Sequence, residues 1–123
     1  MKTLMLALVM APATSARAAD AVSLPFKTAR SLLLVTVTVD GHSKTLIFDT
    51  GAERTLIQDT RNVEHVSTLI VGSKTFRNIP IAYVDLTGTE IAKAHADGVL
   101  GQDVLRQFDT MHVNYKTHTI TLE

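Results

Sequence analysis

The sequence predicts an all-β fold, a small closed barrel of short strands with one or two short helices. Three observations predict it. Leu32 to Val39, LLLVTVTV, ends in strict alternation, with Val35, Val37 and Val39 on one face and Thr36 and Thr38 on the other, the pattern of a half-buried strand. Turn signals at Asp40-Gly41, Gly72-Ser73-Lys74 and Lys116-Thr117 separate the apolar runs. Helical spacing is confined to short stretches near Thr87 to His95 and Asp103 to Phe108. Short strands joined by tight turns, with few helices, bury their apolar faces by closing on themselves.

The first residues are expected to stand apart from this domain. Lys2 provides a small positive start, Leu4 to Ala11 a short apolar run, and Ala16-Arg17-Ala18 a small-x-small site for cleavage before Ala19. Ala11-Pro12-Ala13 is a second possible cut. Residues 1–18 therefore read as an export signal, and the protein as periplasmic or secreted. The apolar run is too short to span a bilayer, so no stable membrane insertion is expected after cleavage. Removal of the signal leaves 105 residues with ten basic and twelve acidic side chains. That length supports one compact core, and that charge balance disfavours nucleic acid or a polybasic membrane surface as a partner. With no cysteine in the chain, disulfides, thiolate metal sites and a cysteine nucleophile are excluded.

Residues 19–30 are expected to form an extended N-terminal arm, since Pro25 argues against helix. The domain proper is expected over residues 31–123. Its first hairpin runs from Leu32 through Asp40-Gly41 to Phe48, because Asp-Gly between alternating apolar runs favours a two-residue turn. A second runs from Ser67 to Val71, turns at Gly72 to Lys74 and returns over Thr75 to Val84, where Pro80 suggests an edge or a bulge. VTVDGHSKTLIF and LIVGSKTFRNIPI share a turn and its flanks, as a twofold internal repeat would. Thr87 or Thr89 caps the first short helix. Val99-Leu100 is a brief apolar strand ending at Gly101. Val104, Leu105 and Phe108 follow at helical spacing, and Met111 to Tyr115 with Thr119 to Leu122 form a last hairpin. Phe108 and Met111 read as core.

The stretch LIFDTGAERTLI places one ionisable side chain, Asp49, between an apolar strand and Thr50-Gly51. Aspartate is depleted in strands, so the position marks either an Asx turn or a site. A lone carboxylate at neutral pH catalyses amide hydrolysis poorly. Two within about 3 Å share one proton, so one acts as base toward a water and the other as acid toward the departing amine. Thr50 would brace the loop through backbone groups, and Gly51 would allow positive φ and close approach of N–H groups to the carboxylate. The other Asp-Thr pairs, Asp59-Thr60 and Asp109-Thr110, lack the following glycine. A single small domain cannot supply two such lobes, so the second carboxylate would come from a second copy across a C2 axis. Asp97 reads as a turn residue, Asp103 as a helix cap or ion-pair partner, and His112 and His118 as exposed strand positions. No metal or cofactor is implied, and neither a glycine-flanked serine nucleophile nor a phosphate-cradling loop is present.

Asp49-Thr50-Gly51-Ala52 after Leu46-Ile47-Phe48, together with ADGVLGQDVLRQFDTMHVNY, resembles the retropepsin-like aspartic proteases, in particular their bacterial exported members. In that family two hydrophobic residues and a glycine, here Val99-Leu100-Gly101, form a strand beside the active-site loop and lead into a short helix. The likeness extends from about Ser31 to Glu123. It implies an aspartic endopeptidase acting as a homodimer on peptide or protein substrates, with Asp49 catalytic, Thr50, Gly51 and Ala52 supporting the loop, and no cofactor. The family also carries a flap between the active-site loop and the second hairpin. Here that interval is Gln58 to Val66, nine residues, whereas two strands and a turn across a cleft need about a dozen. An alternative alignment makes Ser67 to Val84 the flap and leaves no hairpin before Val99. The missing flap keeps open a second reading, a catalytically inactive peptide-binding or dimerisation module of the same fold.

Overall fold

The structure, a computed structural model, describes residues 21–123, and the expected export signal lies outside them. Among the described residues ten strands and two short helices follow in order: β1 (Val22–Pro25), β2 (Lys27–Ala29), β3 (Leu32–Val39), β4 (His42–Phe48), β5 (Leu56–Gln58), β6 (Val63–Val71), β7 (Lys74–Val84), α1 (Glu90–Lys93), β8 (Gly98–Leu100), α2 (Gln102–Leu105), β9 (Met111–Asn114) and β10 (Thr119–Leu122).

Six strands form a closed mixed barrel in the order β3-β4-β8-β5-β7-β6, and β3 returns to β6 through Thr38↔Ile70 and Val39↔Leu69. The valine alternation of β3 is realised as expected. Val35, Val37 and Val39 are buried, with Leu46 and Phe48 of β4 on the same interior. Asp40 and Gly41 both take positive φ, which matches a two-residue turn to the twist of its strands. Residues expected as an extended arm carry β1 and β2. β2 pairs with the start of β3, and β1 pairs antiparallel with β10, which pairs in turn with β9. This smaller sheet seals one side of the barrel with Val22, Leu24, Ile120 and Leu122. Phe76 and Phe108 meet edge to face at 5.7 Å.

Several expectations change. β6 begins at Val63 rather than Ser67, because its first four residues pair with Pro80 to Tyr83 even though their side chains are exposed. β5 and β6 are therefore linked by residues 59–62 alone. Pro80 sits beside an irregularity in β7, where Asn78 takes positive φ and the register with β6 shifts. The second helix is a single turn, Gln102–Leu105, with Phe108 packed beyond its end. Met111 is 39% exposed rather than core. It lies on β9, the outer strand of the small sheet, and an apolar side chain does not by itself distinguish an edge from a centre.

Candidate functional site

β4 carries Leu46 and Phe48 into the barrel core and ends at Phe48, immediately before Asp49. The aspartate backbone N–H donates to Leu100 O at 3.2 Å, and its carbonyl accepts from Ala52 N at 3.2 Å, closing a tight turn. The carboxylate is half-buried, and its Oδ1 accepts from Gly51 N at 2.9 Å. Gly51 does not take positive φ, contrary to expectation. Its service is the N–H itself and room: a Cβ there would stand 3.3 Å from Asp49 Oδ1. Thr50 is exposed, and its carbonyl is held by Gln102 Nε2 at 2.7 Å.

β8 lies between the strand that enters this loop and the strand that leaves it. It runs parallel to β4, with Ile47↔Val99, and antiparallel to β5, with Leu56↔Val99. Val99, Leu100 and Gly101 thus lie beside the loop from Asp49 to Ala52, joined to it by the Asp49 N–H on Leu100 O. The glycines of this block are demanded by contact. A Cβ on Gly101 would fall 2.6 Å from the Arg54 backbone, and one on Gly98 would fall 2.0 Å from Leu56 O, far inside any tolerable approach.

The strongest brace was not foreseen. Thr55 is fully buried. Its N–H donates to both oxygens of Asp103 at 3.1 and 3.0 Å, its hydroxyl donates to Asp103 Oδ1 at 2.7 Å, and the same hydroxyl accepts from Gly101 N at 3.1 Å. Asp103 N and Gln102 N reach back to Glu53 O and Ala52 O at 3.1 and 2.8 Å. Asp103 therefore ties the start of α2 to the loop rather than capping a helix or pairing with a cation. No periodicity marks this partnership, because the two residues lie 48 positions apart. Asp97 acts similarly on β4: its Oδ2 accepts from Thr45 N at 2.8 Å, and its N–H donates to Thr45 O at 2.7 Å.

On the outer face beside Asp49, Ile47 and Val99 are buried yet stand outside the barrel core, as do Leu86 and Ala94. The β7–β8 connection packs there, with α1 against β8 and Glu90 paired to Arg30 at 3.2 Å.

The carboxylate of Asp49 is hydrogen-bonded within the chain to a backbone N–H, and no second carboxylate of the described residues bonds to it. Asp59 is bound by Arg61 at 2.9 Å, and that guanidinium pushes it down to about 2. Among the described residues no group of three His, Cys, Asp or Glu side chains is arranged to hold a metal ion.

No family model matches the sequence, and no curated protein matches it. Solved structures do. The chain is similar to a retropepsin-like aspartic protease from Rickettsia conorii, with a TM-score of 0.59 and 14% identity over 84% of this chain and 89% of that one. It is also similar to the retroviral protease-like domain of Ddi1 from Leishmania major, with a TM-score of 0.51 and 14% identity over 79% of this chain and 90% of that one. The fold is the retropepsin-like one.

Proposed function

We propose that the protein is an aspartic-type endopeptidase that works as a C2 homodimer, exported by its first 18 residues and acting in the periplasm or outside the cell. The observation that carries this reading is the placement of Asp49. One carboxylate stands half-buried at the end of a barrel strand, oriented by Gly51 N–H, in a loop stitched to β8 and α2. A braced loop that orients the Asp49 carboxylate can supply half of a shared-proton pair, and a twofold axis provides the other half at no cost in sequence.

In the dimer the two Asp49 carboxylates hold one proton and a water. The ionised carboxylate takes a proton from the water as its oxygen attacks the peptide carbonyl. The protonated one hydrogen-bonds the carbonyl oxygen and then delivers its proton toward the leaving amine. Thr50, Gly51 and Ala52 keep each loop in place, and Val99 to Gly101 back it. No metal or cofactor enters the step.

A second reading, a peptide-binding or dimerisation module without catalysis, is favoured by one feature. The 59–62 link between β5 and β6 is too short to arch over a bound peptide, and water exclusion by such a cover assists hydrolysis. Incubation with denatured casein at mildly acidic pH separates the two. The peptidase reading expects cleavage that a statine-type inhibitor blocks and that Asp49→Asn abolishes. Equal traces from both proteins would leave the binding module.

A further inference from the structure

Asp49 lies at one end of β4. The other end, His42, is seven residues away, about 23 Å at the rise of a strand, and there the interior of the barrel changes chemistry. On β4, Leu46 and Phe48 face the core, and alternation places Lys44 and His42 on the same side. On β6 the buried face of Val71, Leu69 and Ser67 continues to His65 and Val63. On β7 the face of Ile79 and Ile81 continues to Tyr83. Inward positions of a small barrel are ordinarily filled with apolar side chains. Here the same faces run out into an open rim, with Lys44 and Tyr83 half-buried and His42 and His65 exposed.

The strands also part at this point. β3 and β6 pair only at Thr38–Val39 with Leu69–Ile70, so Val63 to Ser67 is paired on one edge alone. The result is a cleft of about 610 Å³ between the β3–β4 turn, the 59–62 link and the start of β6, within the size range of small-molecule pockets. Val39 is buried at its base, and Tyr83 is positioned by a 2.8 Å hydrogen bond to Ser67 Oγ.

The charges around the cleft are unevenly satisfied. Asp40 accepts from Thr68 N at 2.9 Å and faces His65 Nε2 at 3.7 Å; Asp59 is bound by Arg61, and Glu64 by Arg54. Each carboxylate thus has a partner. Lys44 makes no side-chain hydrogen bond or ion pair among the described residues, and His42 makes none beyond its electrostatic attraction to Asp40. An ammonium group beside an imidazole, above an apolar and aromatic base, matches an anion on an apolar body.

We propose that this barrel mouth binds an organic carboxylate, with the anionic group on Lys44 and His42 and the body against Val39, Val63 and Tyr83. The shared chemistry admits two sources, a free small acid or the C-terminal carboxylate of a peptide. The site is independent of Asp49 and of whether the protein cleaves peptides.

Amide NMR titration of the ¹⁵N-labelled protein tests it, with benzoate, N-acetylphenylalanine and N-acetylphenylalanine amide as probes. Saturable shifts confined to residues 39–44, 59–66 and 83, produced by an acid and not by the amide, are expected. Lys44→Met should weaken binding about tenfold, the loss of one charge-assisted hydrogen bond, and Lys44→Arg should restore most of it. Benzoate alone binding assigns the site to a free small acid, and N-acetylphenylalanine alone binding assigns it to a peptide C-terminus. No saturable shift from either acid, equal binding of the amide, or affinity unchanged in Lys44→Met overturns the proposal.

Discussion

Thr55 concentrates several tasks in one hydroxyl. Fully buried, it donates to Asp103 and accepts from Gly101 N, so a single side chain joins the Asp49 loop, the end of β8 and the first turn of α2. Buried polar groups stabilise only when every partner is satisfied. Thr55→Val keeps the shape and removes both bonds, leaving Gly101 N–H unpaired. The expected cost is about 1–3 kcal/mol, measured as a lower midpoint with unchanged slope in urea unfolding. A midpoint equal to that of the parent would show that the network holds nothing.

Asp59 illustrates an opposite residue-scale effect, at the surface. The Arg61 guanidinium, followed by the Arg61 backbone N–H, lowers it to about 2 from 3.8. A carboxyl depressed in the folded state stabilises above its unfolded pKa, and that contribution disappears as pH falls through the folded one. The pair's effect should therefore be constant from neutrality to about pH 4 and vanish near pH 2. Thermal unfolding of the parent and Asp59→Asn across that window checks the sign: the two curves should converge at the acid end, and divergence there contradicts it.

Among the elements, α1 is the one least able to exist by itself. One turn of helix cannot offset its nucleation cost. It is held by Thr89, whose hydroxyl donates to Leu86 O at 2.6 Å and accepts from Ala92 N at 3.4 Å, by the Arg30–Glu90 pair, and by packing on β8. Through Leu86 and Ala94, which stand outside the barrel core, its connection covers the face where Ile47 and Val99 lie beside Asp49. Thr89→Ala should cost about 1 kcal/mol and appear in hydrogen exchange as faster opening of residues 86–97, with β3 and β4 unchanged. Uniform acceleration across the barrel would mean that the connection is not a separate unit of opening.

At the scale of the whole molecule the governing fact is that each chain carries one Asp49. A shared-proton mechanism then ties chemistry to association. Specific activity should fall on dilution through the dimer dissociation constant, in step with sedimentation equilibrium of the same protein. Activity per chain that stays constant while the sedimenting species becomes monomeric would refute the paired mechanism, because a lone chain would then be catalysing. Closure of the barrel between β3 and β6 rests on two residue pairs, which is why its mouth stands open at the end remote from Asp49.

Local features of the chain were legible without any structure. Alternation in β3, the Asp-Gly turn, the placement of Asp49 after an apolar strand, a threonine cap at Thr87 or Thr89 and the Val-Leu-Gly strand all depend on neighbours a few residues away, and backbone sterics and side-chain periodicity write them directly into sequence. What tertiary structure alone decided depends on partners distant along the chain. Thr55 meets Asp103 across 48 positions, β6 starts at Val63 because β7 pairs with it there, and Met111 is exposed because its strand is the outer one of its sheet. His42, Lys44, His65 and Tyr83 converge only when the barrel curves their strands together. Short-range patterns specify which residues share a face. Closure specifies what that face meets, because burial and hydrogen-bond satisfaction are properties of the assembled surface and not of any one segment.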